Sequence, residues 1–384
     1  MKVLMVGMEW LPNRDGGLNR YFYDMVHALP AVGIGGTALV SYIEPGQEAP
    51  LALQGMAARN ASLPQLWRGA RQAVRSALQE KVDVINPHFA LYCWPWLRDV
   101  PRSTPIVVNF HGPWASEIAV EASKRFRSLR VLVARRMEQQ VYRRADRIIT
   151  LSEAFRDLVV AQYGVAESRV RVVPGGLQPA RFLAAPDRRA ARERLGWPQD
   201  RRILLSVRRL TRRMGLENLV DAFAQVCRHH PETLLLMGGR GPLASVLQAR
   251  ITAAGLDACA RLLGFVPDED LPLAYAAADL TVVPSLAYEG FGLVTLESLA
   301  AGTPVLGTPI GGTPEILRGL NSSLIFESAT PEAMADRIDS VLSGRLALPD
   351  RDDCRAYAGR YAWTEIAPRI RSVFEEARSA AMES

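Results

Sequence analysis

Short runs of β-branched and leucine residues alternate along this chain with longer stretches of helical period, and the alternation starts over once near the middle. No other feature constrains the fold as strongly. A strand, a helix and a second strand in succession pack as a βαβ unit with a parallel sheet. The first series opens with a strand at 2–6, a loop ending at Gly16-Gly17 and a helix over 18–29. A strand near 37–43 follows. Leu66, Ala70, Val74 and Leu78 then recur at helical spacing, with Arg68, Arg71 and Arg75 on other faces. Strands at 82–86 and 106–110, one long helical stretch over 117–144 and a strand at 147–151 complete the series. After a linker from Pro174 to about Asp200, which carries a basic helical patch at 188–194, the pattern restarts. Strands are expected at 203–207, 233–237, 280–283, 305–307 and 323–326, and helices at 215–230, 271–278, 292–301 and 331–342. Thr330 before Pro331 reads as an N-cap with proline in the first turn.

A chain of 384 residues exceeds one ordinary core. The restart divides it into residues 1–175 and 176–362, two Rossmann-like, doubly wound α/β domains. Ile366, Ile370, Val373 and Ala377 form a last apolar stripe in 363–384, suited to packing a terminal helix on a domain surface. The net charge is +6 and the pI about 9.3, which raises nucleic acid as a partner. Nearly all of that charge is arginine, with only Lys2, Lys81 and Lys124 as lysines, a usage that genomic base composition alone can produce; nucleic acid is therefore not expected. The four cysteines, Cys93, Cys227, Cys259 and Cys354, lie far apart in sequence and form no CxxC pair, which points to free thiols in a reducing compartment. Residues 1–10 are too short for a signal peptide and are broken by Glu9, and no apolar run is long enough to span a bilayer. A cytoplasmic protein is expected, with docking on the inner face of a membrane as the alternative. Lys124, Arg125, Arg127, Arg130, Arg135 and Arg136 punctuate the long helical stretch around Val131–Val133 either as a solvated basic face or as a patch for anionic lipid.

The chemistry concentrates between Gly264 and Glu315. Pro284-Ser285 ends a strand, Glu289 follows in the loop, and Phe291-Gly292-Leu293 opens a helix that carries Glu297. In an open α/β sheet, ligands bind at the carboxyl ends of strands. The free N–H groups and positive dipole end of such a helix suit a diphosphate, and Gly290 and Gly292 let the backbone approach its oxygens. Glu297, about a turn further on, can accept two hydrogen bonds from a ribose diol. Glu289 can reach hydroxyls of a sugar beyond the phosphates.

Glu289-x7-Glu297 within EGFGLVTLESLAAGTPVLGTPIGGTPE resembles the signature of the retaining glycosyltransferases of family 4, the group 1 enzymes of GT-B fold. Further segments match in order: SVRRLTRRMG (206–215) the phosphate-binding strand and loop, MGGRGP (237–242) the glycine turn, GFVPDEDL (264–271) the base-binding segment, VPGGLQPARF (173–182) the interdomain segment, and Trp363-Thr364 the closing helix that crosses back to the first domain. The resemblance spans the chain and is sharpest in its second half. It implies two Rossmann-like domains facing a central cleft that closes on the donor. Glu289 would contact the transferred sugar and Glu297 the ribose. Phe291, Gly292 and Leu293 would offer amides to the diphosphate, Val266 would bind the base through its backbone, and Arg209 would neutralise the leaving phosphate. In the first domain Gly16-Gly17 matches the glycine loop near the donor phosphate, and His111 matches the histidine beside the transferred sugar. Where the family has lysine this chain has Met214, so that Arg212 or Arg213 is expected to supply the charge.

The resemblance further implies transfer of a hexose from a nucleoside-diphosphate sugar to a hydroxyl with retention, the departing phosphate acting as base, and neither a cofactor nor a metal taking part. No DxD-like motif stands in a suitable loop. Two other readings share the fold: a nucleotide-sugar epimerase, and a non-catalytic nucleotide-sugar-binding partner subunit that Met214 keeps open. Phe89, Tyr92, Trp94 and Trp96 cluster after a strand end. Most aromatics fill cores, but this position makes Trp94 and Trp96 candidates for an acceptor pocket, the acceptor itself being a small molecule or a lipid-linked one.

Overall fold

The computed structural model describes residues 1–121 and 127–382, which divide into two compact units: Met1–Gly176 together with Trp363–Ser384, and Leu177–Ala362. The first unit holds strands β1 (Lys2–Val6), β2 (Gly35–Val40), β3 (Ala52–Gly55), β4 (Val84–Pro87), β5 (Val107–Phe110), β6 (Arg147–Thr150) and β7 (Val170–Val172). Every pairing is parallel, in the order β3-β2-β1-β4 and β5-β6-β7. A parallel bridge between Ile85 and Ile106 joins the two runs. β4 and β5 are buried along their whole length, as expected of a sheet covered on both faces. The helix Leu63–Ala77 starts in a capping box between Ser62 and Gln65 and buries Leu66, Ala70 and Val74, while Arg71 and Arg75 stay outside and pair with Asp99.

The C-terminal helix, Trp363–Met382, belongs to this first unit and buries Ile366, Ile370, Val373 and Ala377. Its Glu376 bonds Arg147 and Arg171, and Trp363 lies so close to Gly176 that a Cβ there would sit 2.5 Å from the indole. Only glycine fits beneath that ring.

The second unit holds β8 (Arg202–Val207), β9 (Thr233–Gly238), β10 (Ala260–Gly264), β11 (Leu280–Val283) and β12 (Val305–Gly307), all parallel in the order β10-β9-β8-β11-β12. The strand order reverses direction between β8 and β11. Thr330 caps the helix Pro331–Leu342 through its hydroxyl, which accepts from the N–H of Ala333 at 3.3 Å.

Several elements differ from expectation. The stretch 117–144 contains the helices Trp114–Glu121 and Arg127–Arg144, and residues 122–126 between them lie outside the described residues. The strand expected at 323–326 is a short 3-10 turn, Ser322–Leu324, followed by a single bridge from Ile325 to Gly307. β3, β7 and β10 are edge or near-edge strands with half-exposed residues, and their weak apolar signal explains why the sequence does not announce them. Of the basic patch, Lys124 and Arg125 lie outside the described residues. Arg130, Arg135 and Arg136 are exposed, as are Leu129, Leu132 and Val133 beside them. Among the described residues no helix is long and apolar enough to cross a membrane. Cys227 and Cys259, distant in sequence, come together with their sulfurs 2.9 Å apart and no disulfide between them.

Candidate functional site

In the second unit the crevice of a doubly wound sheet falls where the strand order reverses, outside the carboxyl ends of β8 and β11. β8 runs straight into Arg208 and Arg209, and β11 into Pro284 and Ser285. These two loops meet. A Cβ on Gly215 would lie 1.8 Å from the carbonyl oxygen of Pro284, so the loop after β8 can close on its neighbour only with glycine there, at φ +70.

Three side chains converge in the crevice. Arg208 donates through Nη1 to Ser285 Oγ at 2.7 Å and through Nη2 to the Glu289 carboxylate, and Ser285 Oγ donates to the same carboxylate at 2.7 Å. Arg208, Ser285 and Glu289 are all buried. Burial pushes the Glu289 carboxyl up, but the Arg208 guanidinium, the Ser285 hydroxyl and the charge of Arg213 outweigh it and leave Glu289 below the usual carboxylate range. Arg213 is buried too, its Nη1 donating to the carbonyl of Tyr288 at 2.9 Å. Arg209 and Arg212 are exposed, and Met214 is buried. Of the two arginines expected to offset Met214, it is therefore Arg213 that lies against the Glu289 loop.

Gly292 caps the helix Leu293–Ala300 with φ +86, a left-handed conformation. A methyl group there would lie 2.8 Å from Thr313 Oγ1 and 3.1 Å from Thr295 Oγ1. Both hydroxyls are buried and have no hydrogen-bond partner among the described residues. The helix thus presents first-turn N–H groups that have no acceptor within the helix, and two orphaned hydroxyls beside them. The Gly311-Gly312 turn wraps the Glu289 backbone, with Gly312 N–H donating to the Glu289 carbonyl at 3.0 Å. Glu297, half-buried, accepts from Tyr275 OH at 3.2 Å. Phe291 is buried with its ring 5.8 Å from that of Tyr361, and Leu293 is half-buried. Val266 follows β10 and lies over Gly238, where a Cβ would be 2.6 Å from its methyl.

In the first unit Gly16 has φ +146 and caps the helix Gly17–Ala28; both glycines are exposed, and nothing lies within 4 Å of a Cβ on Gly17. His111 follows β5. Its Nε2 lies 3.0 Å from Nδ1 of His88, whose Nε2 lies 2.9 Å from Oδ1 of Asn86. Burial holds His111 down at about 3, and His88, buried beside it, also falls well below the ordinary histidine value. The aromatic cluster divides. Trp96 is wholly enclosed in the core with Ile85, Phe110 and Tyr142, so it cannot face an acceptor, and its assignment to such a pocket is corrected. Trp94 is half-buried, lies tilted against Trp67 with ring centres 5.5 Å apart and donates Nε1–H to Gln140 at 2.7 Å.

A profile described as Glycosyl transferases group 1 matches residues 187–361, and one described as Glycosyltransferase Family 4 matches residues 15–181. A D-inositol 3-phosphate glycosyltransferase of Thermobispora bispora is 33% identical over 77% of this chain and 71% of its own length. The chain belongs to the family 4, group 1 glycosyltransferases. A protein of the same description from Corynebacterium jeikeium is 32% identical over 62% of this glycosyltransferase, a match spanning 59% of that relative. The Anabaena protein HepE, solved with UDP-glucose, superposes with a TM-score of 0.77 at 19% identity over 98% of this chain and 100% of that one, a likeness of the GT-B fold.

Within this glycosyltransferase the structure adds residues that the sequence did not single out. Ser285 and Arg208 bind Glu289, and Thr295 and Thr313 hold unsatisfied hydroxyls beside Gly292. Arg208 stands next to Arg209, and nothing in the residue type says which of two adjacent arginines turns inward; the contacts with Ser285 and Glu289, distant in sequence, decide it. Thr313 was legible only as part of the Gly-Gly-Thr-Pro-Glu run. A hollow of about 570 Å³ elsewhere in this unit is lined by Arg188, Arg192, Arg201 and Asp279. Arg192 there donates to four backbone carbonyls and to Asp279, so its charge is spent on holding the fold.

Proposed function

We propose that this glycosyltransferase moves a hexose from a nucleoside-diphosphate sugar to an acceptor hydroxyl, with retention of configuration and without a metal. The observation that carries the reading is the buried Arg208–Ser285–Glu289 cluster beside a glycine-capped helix whose first turn adjoins two orphaned hydroxyls. The diphosphate takes the amides of Phe291, Gly292 and Leu293, with Arg213 nearby and the exposed Arg209 neutralising charge on the departing phosphate. Glu289, ionised and with Arg208 on one oxygen, accepts from a sugar hydroxyl. Glu297 takes the ribose, and the backbone of Val266 takes the base. Gly16, Gly17 and His111 keep the roles that the family resemblance gives them. The leaving phosphate accepts the proton of the attacking hydroxyl, so no protein nucleophile enters the reaction.

UDP-glucose, the ligand of HepE, is the first donor to test, and an inositol phosphate, after the name of the relatives, the first acceptor. Purified protein is expected to release nucleoside diphosphate slowly from one member of a nucleotide-sugar panel, and NMR of the earliest product should show the donor's anomeric configuration kept. Inverted product overturns retention. Tight donor binding by calorimetry with no turnover on any member makes the chain a non-catalytic binder, and deuterium entering the sugar at C2 without acceptor makes it an epimerase.

A further inference from the structure

A chain of hydrogen bonds behind His111 fixes which of its ring nitrogens carries the proton. The chain starts at a group that can only accept, the backbone carbonyl of Val107. Asn86 places an amide atom 2.6 Å from it, so that atom must be the NH2 group. The same NH2 donates to Asn109 Oδ1 at 2.8 Å, and Asn109 in turn donates to Tyr21 OH at 3.2 Å. The other end of the Asn86 amide is then an oxygen, and it faces Nε2 of His88 at 2.9 Å. His88 must carry its proton there. His88 is wholly buried, and burial together with the neighbouring His111 keeps it neutral, so its Nδ1 is a bare lone pair. That lone pair faces Nε2 of His111 at 3.0 Å, which only a proton on His111 Nε2 can satisfy.

We propose that Asn86 and His88 are positioning residues that lock His111 as the neutral Nε2–H tautomer, so that its remaining nitrogen, Nδ1, can accept a hydrogen bond and never donate one. Among the described residues no protein group bonds Nδ1, and the ring is partly open to solvent. A histidine in this state selects its partner by chemistry. It accepts a hydrogen bond from a substrate hydroxyl and repels a phosphate or carboxylate oxygen, which offers only lone pairs. That the hydroxyl belongs to the transferred sugar rests on the function proposed above. The stacking of the two imidazoles, 5.2 Å between centres, and the edge of Tyr21 at 5.1 Å from His111 hold the ring plane in which the lock works.

Two measurements test this separately. The full chain labelled with 15N-histidine, with a His111→Gln sample to assign the peak, is expected to show His111 as the Nε2–H form at pH 7. In His88→Phe that form should give way to a mixture of tautomers. His111 appearing as Nδ1–H or as imidazolium in the unmutated protein overturns the proposal, even if His88→Phe does not fold, and so does an unchanged tautomer in a folded His88→Phe. The second measurement compares deoxy and deoxyfluoro donors. Fluorine accepts but cannot donate, so at the hydroxyl met by His111 both analogues should lose about tenfold in kcat/KM. If every fluoro analogue keeps full activity where its deoxy counterpart fails, His111 donates and the lock is refuted. No turnover on any donor would refute the function and leave the NMR result standing.

Discussion

Arg208 donates to the carboxylate of Glu289 across 81 residues of sequence, both side chains buried at the point where the sheet of the second unit reverses its strand order. Each is costly to bury alone, and each is present because of the other. Arg208→Met is expected to leave an uncompensated buried carboxylate and to destabilise the second unit by about 3–5 kcal/mol. Adding Glu289→Gln should recover part of that loss, as a double-mutant cycle of melting curves would show. The sign with pH follows from the depressed carboxyl: the pair's stabilisation is present above the ordinary glutamate value of 4.5 and is lost as pH falls through the lower folded value. The gap between Arg208→Met and the unmutated chain should therefore narrow in acid. An equal gap at every pH would show that Glu289 is not held by this charge.

Arg209 is the neighbouring residue and behaves oppositely. It is exposed, so Arg209→Ala should leave the melting temperature unchanged. If it meets the departing phosphate, loss of a charge-assisted bond of about 1.5–3 kcal/mol should lower kcat by roughly tenfold to a hundredfold. Unaltered kcat with a confirmed donor would remove it from the mechanism.

Gly292→Ala forces an alanine to φ +86 and sets its methyl against Thr313. The conformation alone costs about 1–2 kcal/mol, and nucleoside-diphosphate affinity should fall by tenfold or more in calorimetry. Thr313→Val separates ligand from fold. Its hydroxyl has no partner among the described residues, so removing it should not lower the melting temperature, whereas loss of donor affinity would show that the hydroxyl waits for a ligand.

Glu138, on the inner face of the helix Arg127–Arg144, accepts from the N–H of Ala115 at 3.3 Å, and burial pushes its carboxyl up to about 7. A raised carboxyl means that the folded state binds the extra proton. Its contribution is whole below the ordinary value of 4.5 and is lost as pH rises through about 7. Glu138→Gln, neutral at every pH, should thus melt higher than the unmutated chain at pH 8 and gain little or nothing at pH 5. A constant difference between the two would contradict the shift.

The alternation of strand and helix was readable because each period is local: β1, β8, β11 and β12 and the helices at Leu63–Ala77 and Pro331–Leu342 follow from neighbouring residues alone. So was the place of Glu289, Gly292 and Glu297, since a strand end, a glycine and a helix start are adjacent in the chain. The edge strands β3, β7 and β10 were not, because they form by pairing with a sheet already present rather than by their own pattern. The tertiary structure decided what depends on distant partners. It turned Arg208 inward and Arg209 outward, enclosed Trp96, left Thr295 and Thr313 unpaired, brought Cys227 to Cys259 and set Asn86 behind His88 and His111. Burial and hydrogen-bond direction are properties of packed neighbours tens of residues apart, and a string of residues carries them only after the chain has folded.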